Sequence, residues 1–152
     1  MDLTMRAATT ADLPAILRLL ADDPLGKNRE TAVEAPYRAA FDAIAADPNQ
    51  EMIVAEADGA VVGCFQLSFL PGLSRRGAWR AQIESVRIDS SLRGQGAGQA
   101  MMEWAIGRAR DRGCALVQLT TDNQRADAHR FYVRLGFVAS HEGMKLALHP
   151  GA

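Results

Sequence analysis

The sequence predicts an α/β fold built on a mixed central sheet, and three observations carry that prediction. Two apolar, β-rich stretches, 51–56 and 61–70, meet across Asp58-Gly59, a dipeptide suited to the positive φ angles of a tight hairpin. A third stretch, 78–88, runs into a Gly-rich turn and then a helical pattern, which hands the chain back to a strand at 115–120. Hairpins give antiparallel neighbours and helical crossovers give parallel ones, so the sheet must contain both.

Taken in order, residues 3–8 read as an opening strand, and Thr9 with Asp12 three residues on forms a capping pair. Leu13, Ile16, Leu17 and Leu20 follow at helical spacing, and this helix stops near Asp22-Asp23-Pro24 because a proline disfavours helix in the residue before it. A polar stretch, 26–30, separates it from a second helix marked by Tyr37, Ala40, Phe41 and Ile44, ending near Asp47-Pro48-Asn49. The hairpin comes next, closed by Pro71-Gly72 and a loop at 74–77 that carries Arg75 and Arg76.

The stretch 78–88 changes phase. Trp79, Ala81 and Ile83 put apolar groups at odd positions, whereas Val86 and Ile88 put them at even ones. Strand side chains alternate faces strictly, so a slip that keeps one face apolar implies an extra, bulged residue near Ser85; a plain interruption at Ser85 is the competing reading. A bulge leaves backbone amides unpaired, which opens a slot for an extended ligand.

Ala97, Met101, Trp104, Ala105 and Arg108 then follow helical spacing up to Gly113. After the 115–120 strand, Ala128, Phe131, Tyr132 and Leu135 mark a last helix ending at Gly136, and short β stretches at 137–140 and 144–148 close the chain. The sum is a single domain over residues 1–152, with about seven strands and about four helices.

Lys plus Arg total 17 against 18 for Asp plus Glu, so no global field draws nucleic acid or an anionic membrane to the surface. The N-terminal residues lack the basic start and apolar run of a signal peptide, and no apolar stretch nears the roughly 20 residues of a membrane span, so a cytoplasmic protein is expected. Cys64 and Cys114 lie far apart in apolar stretches with no Cys or His at ligand spacing, which predicts reduced thiols and no metal.

Chemistry concentrates in Arg93-Gly94-Gln95-Gly96-Ala97-Gly98. A helix N-terminus presents unpaired N–H groups and partial positive charge, glycines let backbone approach an anion, and Arg93 adds a forked donor. A pyrophosphate suits this segment. The Walker pattern fails, since Gly98 is followed by Gln99 and Ala100, and the dinucleotide pattern fails for want of its third glycine.

Arg93-x-x-Gly96-x-Gly98 between a bulged strand and a helix closely resembles the acetyl-CoA motif of the GNAT family of N-acetyltransferases. The run from Asn123 through Phe131-Tyr132 to Gly136-Phe137 resembles that family's second hallmark, and the two occur in the family's order. The resemblance implies a GNAT-like sheet splayed at the cofactor site and a transfer of acetyl from acetyl-CoA to a primary amine by direct attack. Backbone at Val86, Arg87 and Ile88 would meet the acetyl carbonyl and pantetheine amides, and Arg93, Gly94, Gln95, Gly96, Ala97, Gly98 and Gln99 the pyrophosphate. Asn123 would face the pantetheine arm.

The same resemblance makes Tyr132 the candidate acid for the departing thiolate and Glu84 the candidate base for the incoming ammonium. Each has a plainer competitor, a packed helix aromatic and a solvent-facing strand residue. A homodimer is a family-based expectation. The competing function class is a noncatalytic acyl-CoA-binding sensor or regulatory module, against which Glu84 and Tyr132 both speak; the acceptor amine carries no recognisable code.

Overall fold

A computed structural model describes residues 2–22, 30, 34–123 and 125–150. The expected helix stop at Asp23-Pro24 and the polar stretch 26–29 lie outside the described residues. The chain divides into two compact units, Met1–Gln118 and Leu119–Ala152.

The first unit is a five-stranded sheet in sequence order, formed by β1 (Thr4–Ala7), β2 (Gln50–Ala57), β3 (Ala60–Leu70), β4 (Arg80–Ile88) and β5 (Leu116–Gln118). Neighbours β1 to β4 are antiparallel, whereas β4 and β5 are parallel. The hairpin between β2 and β3 turns at Asp58 (φ 52°) and Gly59 (φ 78°), as the dipeptide requires. Helices α1 (Leu13–Ala21) and α2 (Ala35–Ala46) precede β2, and α4 (Ala97–Asp111) makes the crossover that parallel strands need.

Register assigns the faces. On one face, Ile16 and Leu19 of α1 pack with Val54 and Cys64. On the other, the Phe65 ring meets Trp104 of α4 edge-on at 6.0 Å, and a Cβ added to Gly63 would stand 2.8 Å from Met101 Sδ. Arg108 of α4 also grips Glu51 with two hydrogen bonds, 3.0 and 2.5 Å, fixing the helix to β2. Phe65, Leu67, Phe69, Ala81 and Ile83 form the buried floor under α4. Cys64 is buried as expected, and burial pushes its thiol up to about 12, which makes it inert.

The capping pair read from the sequence is present: the Thr9 backbone N–H donates to Asp12 Oδ2 at 2.7 Å. Asp12 also accepts two bonds from Arg6, at 2.7 and 2.8 Å, and this partner holds its carboxyl down at about 2 against an ordinary 3.8. A depressed carboxylate stabilises the fold fully above its unfolded value and loses that contribution as pH falls towards the folded one. With Arg6 a third exposed, the contribution is about 1–2 kcal/mol. Acid melts should therefore show wild type losing its advantage over Asp12→Ala between pH 4 and pH 2; a stability difference independent of pH would contradict the pairing.

Residues 74–77 are not the irregular loop the sequence suggested. Ser74–Gly77, α3, is a single left-handed turn, with Arg75 at φ 55°, Arg76 at φ 61° and Gly77 at φ 74°. The Gly77 N–H donates to the Leu73 carbonyl at 3.0 Å and closes the turn.

The second unit contains α5 (Ala126–Arg134), and the chain leaves it through Gly136 at φ 101°. Here the strand count is corrected from about seven to five among the described residues, because 137–140 and 144–148 form no strand. Alternation requires a neighbouring ladder to become a strand, and none is described for these segments. Met144, Leu146 and Leu148 keep their two-residue spacing yet are 92%, 86% and 87% exposed.

Candidate acetyl-transfer site

The phase slip in β4 is a bulge. Cys64 pairs with Arg87 and Gln66 with Glu84, so Ser85 and Val86 together oppose Phe65 alone. Ser85 takes φ 56°, and the Cys64 thiol lies 3.8 Å from its carbonyl as a weak donor. Val86 and Ile88 are thereby kept on the α4 face with Ala81 and Ile83, while Glu84 and Arg87 share the α1 face.

A second feature acts on the same strand. The ladder to β5 covers only Arg80–Leu116, Ala81–Val117 and Gln82–Gln118. From Ile83 to Ile88, β4 has no described strand partner on that edge, and it continues into the Gly-rich turn. An extended pantetheine arm, which carries amide groups, fits such a backbone edge by the rules of strand pairing.

Asp89 starts the turn by accepting from the Ser91 N–H at 2.9 Å and hydroxyl at 2.7 Å, and these bonds lower its pKa. The chain then passes through Gly94 (φ 78°) and Gly96 (φ 83°), left-handed positions where a Cβ carries a steric cost. Gly96 caps α4, whose first turn holds Ala97, Gly98 and Gln99 and contains no acidic residue. The orphan N–H groups and positive end of the helix are therefore left for an external anion, with Arg93, Gly94 and Gln95 exposed beside them. Gln95 and Gln99 side chains are turned to Ser91 O (3.0 Å) and Glu103 (2.9 Å), so what the turn presents is chiefly backbone.

Residues 13–137 match the acetyltransferase (GNAT) family. The chain belongs to that family. It is an N-acetyltransferase, and the acetyltransferases of this family use acetyl-CoA. An aminoalkylphosphonate N-acetyltransferase from Salmonella typhimurium is 36% identical over 90% of this chain and 86% of its own length. An L-methionine sulfoximine/L-methionine sulfone acetyltransferase from Pseudomonas paraeruginosa is 30% identical over 92% of this chain and 83% of its own. A crystal structure from Bacillus halodurans, described as a transcriptional regulator, superposes with a TM-score of 0.93 at 49% identity, covering 97% of this chain and all of that one.

The candidate site residues that the sequence suggested for this GNAT chain fall into two groups. Glu84, Val86, Arg87, Ile88 and the turn from Arg93 to Gln99 lie on the continuous path from β4 to α4 in the first unit. Glu84 is exposed, with no described hydrogen bond or ion pair, whereas Val86, Arg87 and Ile88 are half-buried. Arg87 Nη1 donates to the Val86 carbonyl at 3.0 Å.

Asn123 and Tyr132 lie in the second unit. Asn123 is exposed in the turn before α5. The Tyr132 ring is held edge-on between Phe131 (5.1 Å) and Phe137 (5.8 Å), and the Phe137 N–H donates to the Tyr132 carbonyl at 3.1 Å. Aromatic-Tyr-x-x-x-Gly-Phe thus has a local reason: the turn at Gly136 folds Phe137 back on the tyrosine.

The sequence reading missed a polar patch on the α1 face. Gln50, Ser68, Gln82 and Gln118 stand in one cross-strand row, and Gln66 opposes Glu84 in the next. Alternation of Gln66 and Ser68 with Phe65, Leu67 and Phe69 carried part of this signal. Among the described residues, no group of three or more His, Cys, Asp or Glu side chains is placed to hold a metal, and no helix is long and apolar enough to cross a membrane.

Proposed function

We propose that this enzyme acetylates a small primary amine by direct attack on acetyl-CoA, with the β4 edge beyond Gln82 and the turn from Arg93 to Gln99 as the cofactor cradle. The observation that carries this reading is the juxtaposition, on one strand, of a bulge at Ser85 and an edge with no described strand partner, running into a helix whose first turn has no acidic residue. The pantetheine amides pair with backbone at Val86, Arg87 and Ile88, the pyrophosphate takes the N–H groups of α4, and Asn123 meets the pantetheine arm. The acceptors named for the Salmonella and Pseudomonas relatives are small amine-bearing molecules, which supports a small acceptor over a protein amino group.

In the proposed reaction, Glu84 takes a proton from the acceptor ammonium, directly or through water. The freed nitrogen lone pair attacks the acetyl carbonyl carbon, and the C–N bond forms. Collapse of the tetrahedral intermediate breaks the C–S bond, the departing thiolate takes the phenolic proton of Tyr132, and the phenolate so formed recovers a proton from the cationic nitrogen, directly or through water, which leaves the neutral amide and CoA thiol. Glu84 suits its role because its carboxylate is exposed and has no described hydrogen bond or ion pair. Tyr132 suits its role because its ring is fixed by two aromatic neighbours.

Direct attack needs both substrates bound together. Initial-rate kinetics should therefore give intersecting double-reciprocal lines, and intact mass should reveal no acetylated enzyme after incubation with acetyl-CoA alone. Parallel lines with an acetyl-enzyme would replace this mechanism with a covalent one.

One domain spanning 1–152 and a cytoplasmic location remain part of the proposal. So does a homodimer, supported by the exposed apolar row Met144, Leu146 and Leu148. Sedimentation equilibrium should return twice the chain mass; a monomer at all concentrations would remove that element.

A further inference from the structure

The polar patch on the α1 face is out of place in a sheet with helices on both sides, because such sheets are usually apolar on both faces. Its hydrogen bonds have a direction. Gln66 Nε2 and Ser68 Oγ both donate to Gln50 Oε1, at 3.0 and 2.9 Å, and Gln118 Nε2 donates to Gln82 Oε1 at 3.1 Å. Gln82 has its oxygen occupied and its Nε2 without a described partner. Gln66 has one Nε2 N–H used and keeps its oxygen and its other N–H, opposite the Glu84 carboxylate. Gln118, on the edge strand, keeps an oxygen and one N–H.

Two positions on β4 differ in what they offer. Glu84 presents a carboxylate beside the Gln66 oxygen, and the Gln82 Nε2 donor stands two residues earlier, about 6–7 Å away along the strand. Gln50 Nε2 adds a second donor in the Gln82 row. Acceptors suit an ammonium and neutral amide donors suit an oxyanion, so the pattern matches one molecule carrying both on a short chain.

We infer that Gln82, with its oxygen held by Gln118, is a specificity residue that selects acceptors bearing an oxyanion a short alkyl chain from the amine, as in phosphonates or carboxylates. This rests on the acetyl-transfer reading only in placing the acceptor amine at Glu84. Phosphonate and carboxylate share the recognising chemistry, and the two are separated by titration.

The test is calorimetric titration, in the presence of CoA, of aminoethylphosphonate, β-alanine and propylamine. Wild type should bind at least one of the two anionic amines about tenfold or more tightly than propylamine, the range expected for hydrogen bonds to a charged group. The order of phosphonate and carboxylate then identifies the oxyanion. Gln82→Glu, nearly isosteric, sets like charge against the oxyanion and should bring that ratio to about one or below; Gln82→Met should reduce it severalfold. Melting temperature and circular dichroism check that both variants fold. Anionic amines that bind no tighter than propylamine, or a ratio unchanged in both variants, overturn the inference. Selective binding without acetyl transfer would sink the catalytic proposal and leave this inference standing.

Discussion

Replacing Tyr132 with Phe is expected to lower turnover about a hundredfold while changing acetyl-CoA affinity by less than about twofold. The substitution deletes one oxygen and keeps the ring, so the edge-on contacts to Phe131 and Phe137 at 5.1 and 5.8 Å survive. What disappears is the proton offered to the departing thiolate, a group needed in the transition state and not in the bound complex. Single-turnover rates and calorimetric affinities separate the two quantities. Lost binding with unchanged turnover would return Tyr132 to a packing role.

The second large effect is expected at Gly96. Its φ of 83° is a left-handed value that a β-branched residue resists, and Gly96 is the cap from which the N–H groups of α4 point. Gly96→Val should rebuild the turn and misdirect those donors. Strain and lost charge-assisted bonds together predict acetyl-CoA binding weaker by about thirtyfold or more. The fold should persist, because a Cβ added at Gly96 meets nothing within 4 Å and the core beneath α4 rests on Met101, Met102 and Ala105. Unchanged affinity in calorimetry would remove the turn from the cofactor site.

The turn at Gly96 and the bulge at Ser85 were legible in the sequence for different reasons. The turn announces itself by glycine spacing, since left-handed backbone strongly favours that residue. The bulge at Ser85 was legible because alternation changed phase while one face stayed apolar, a local signal needing no knowledge of the neighbouring strand. The Thr9–Asp12 capping pair is local in the same way, but its bond to Arg6 is set by how β1 enters the helix.

Register is where the sequence stopped. Gln82 looks like an ordinary polar strand residue until pairing places it between Ser68 and Gln118. The closing segments were read as strands for the opposite reason: Met144, Leu146 and Leu148 alternate correctly, but alternation names no partner. Arg75 and Arg76 in a left-handed turn could not be foreseen, because non-glycine residues there pay roughly 1–2 kcal/mol each and give no compositional sign.

The most direct test of acetyl transfer is amine-dependent release of CoA thiol from acetyl-CoA, followed by intact-mass detection of the acceptor. The account predicts thiol release above the amine-free background, matched mole for mole by an acceptor one acetyl group heavier. Tight acetyl-CoA binding with no release above background across anionic and neutral primary amines would contradict it.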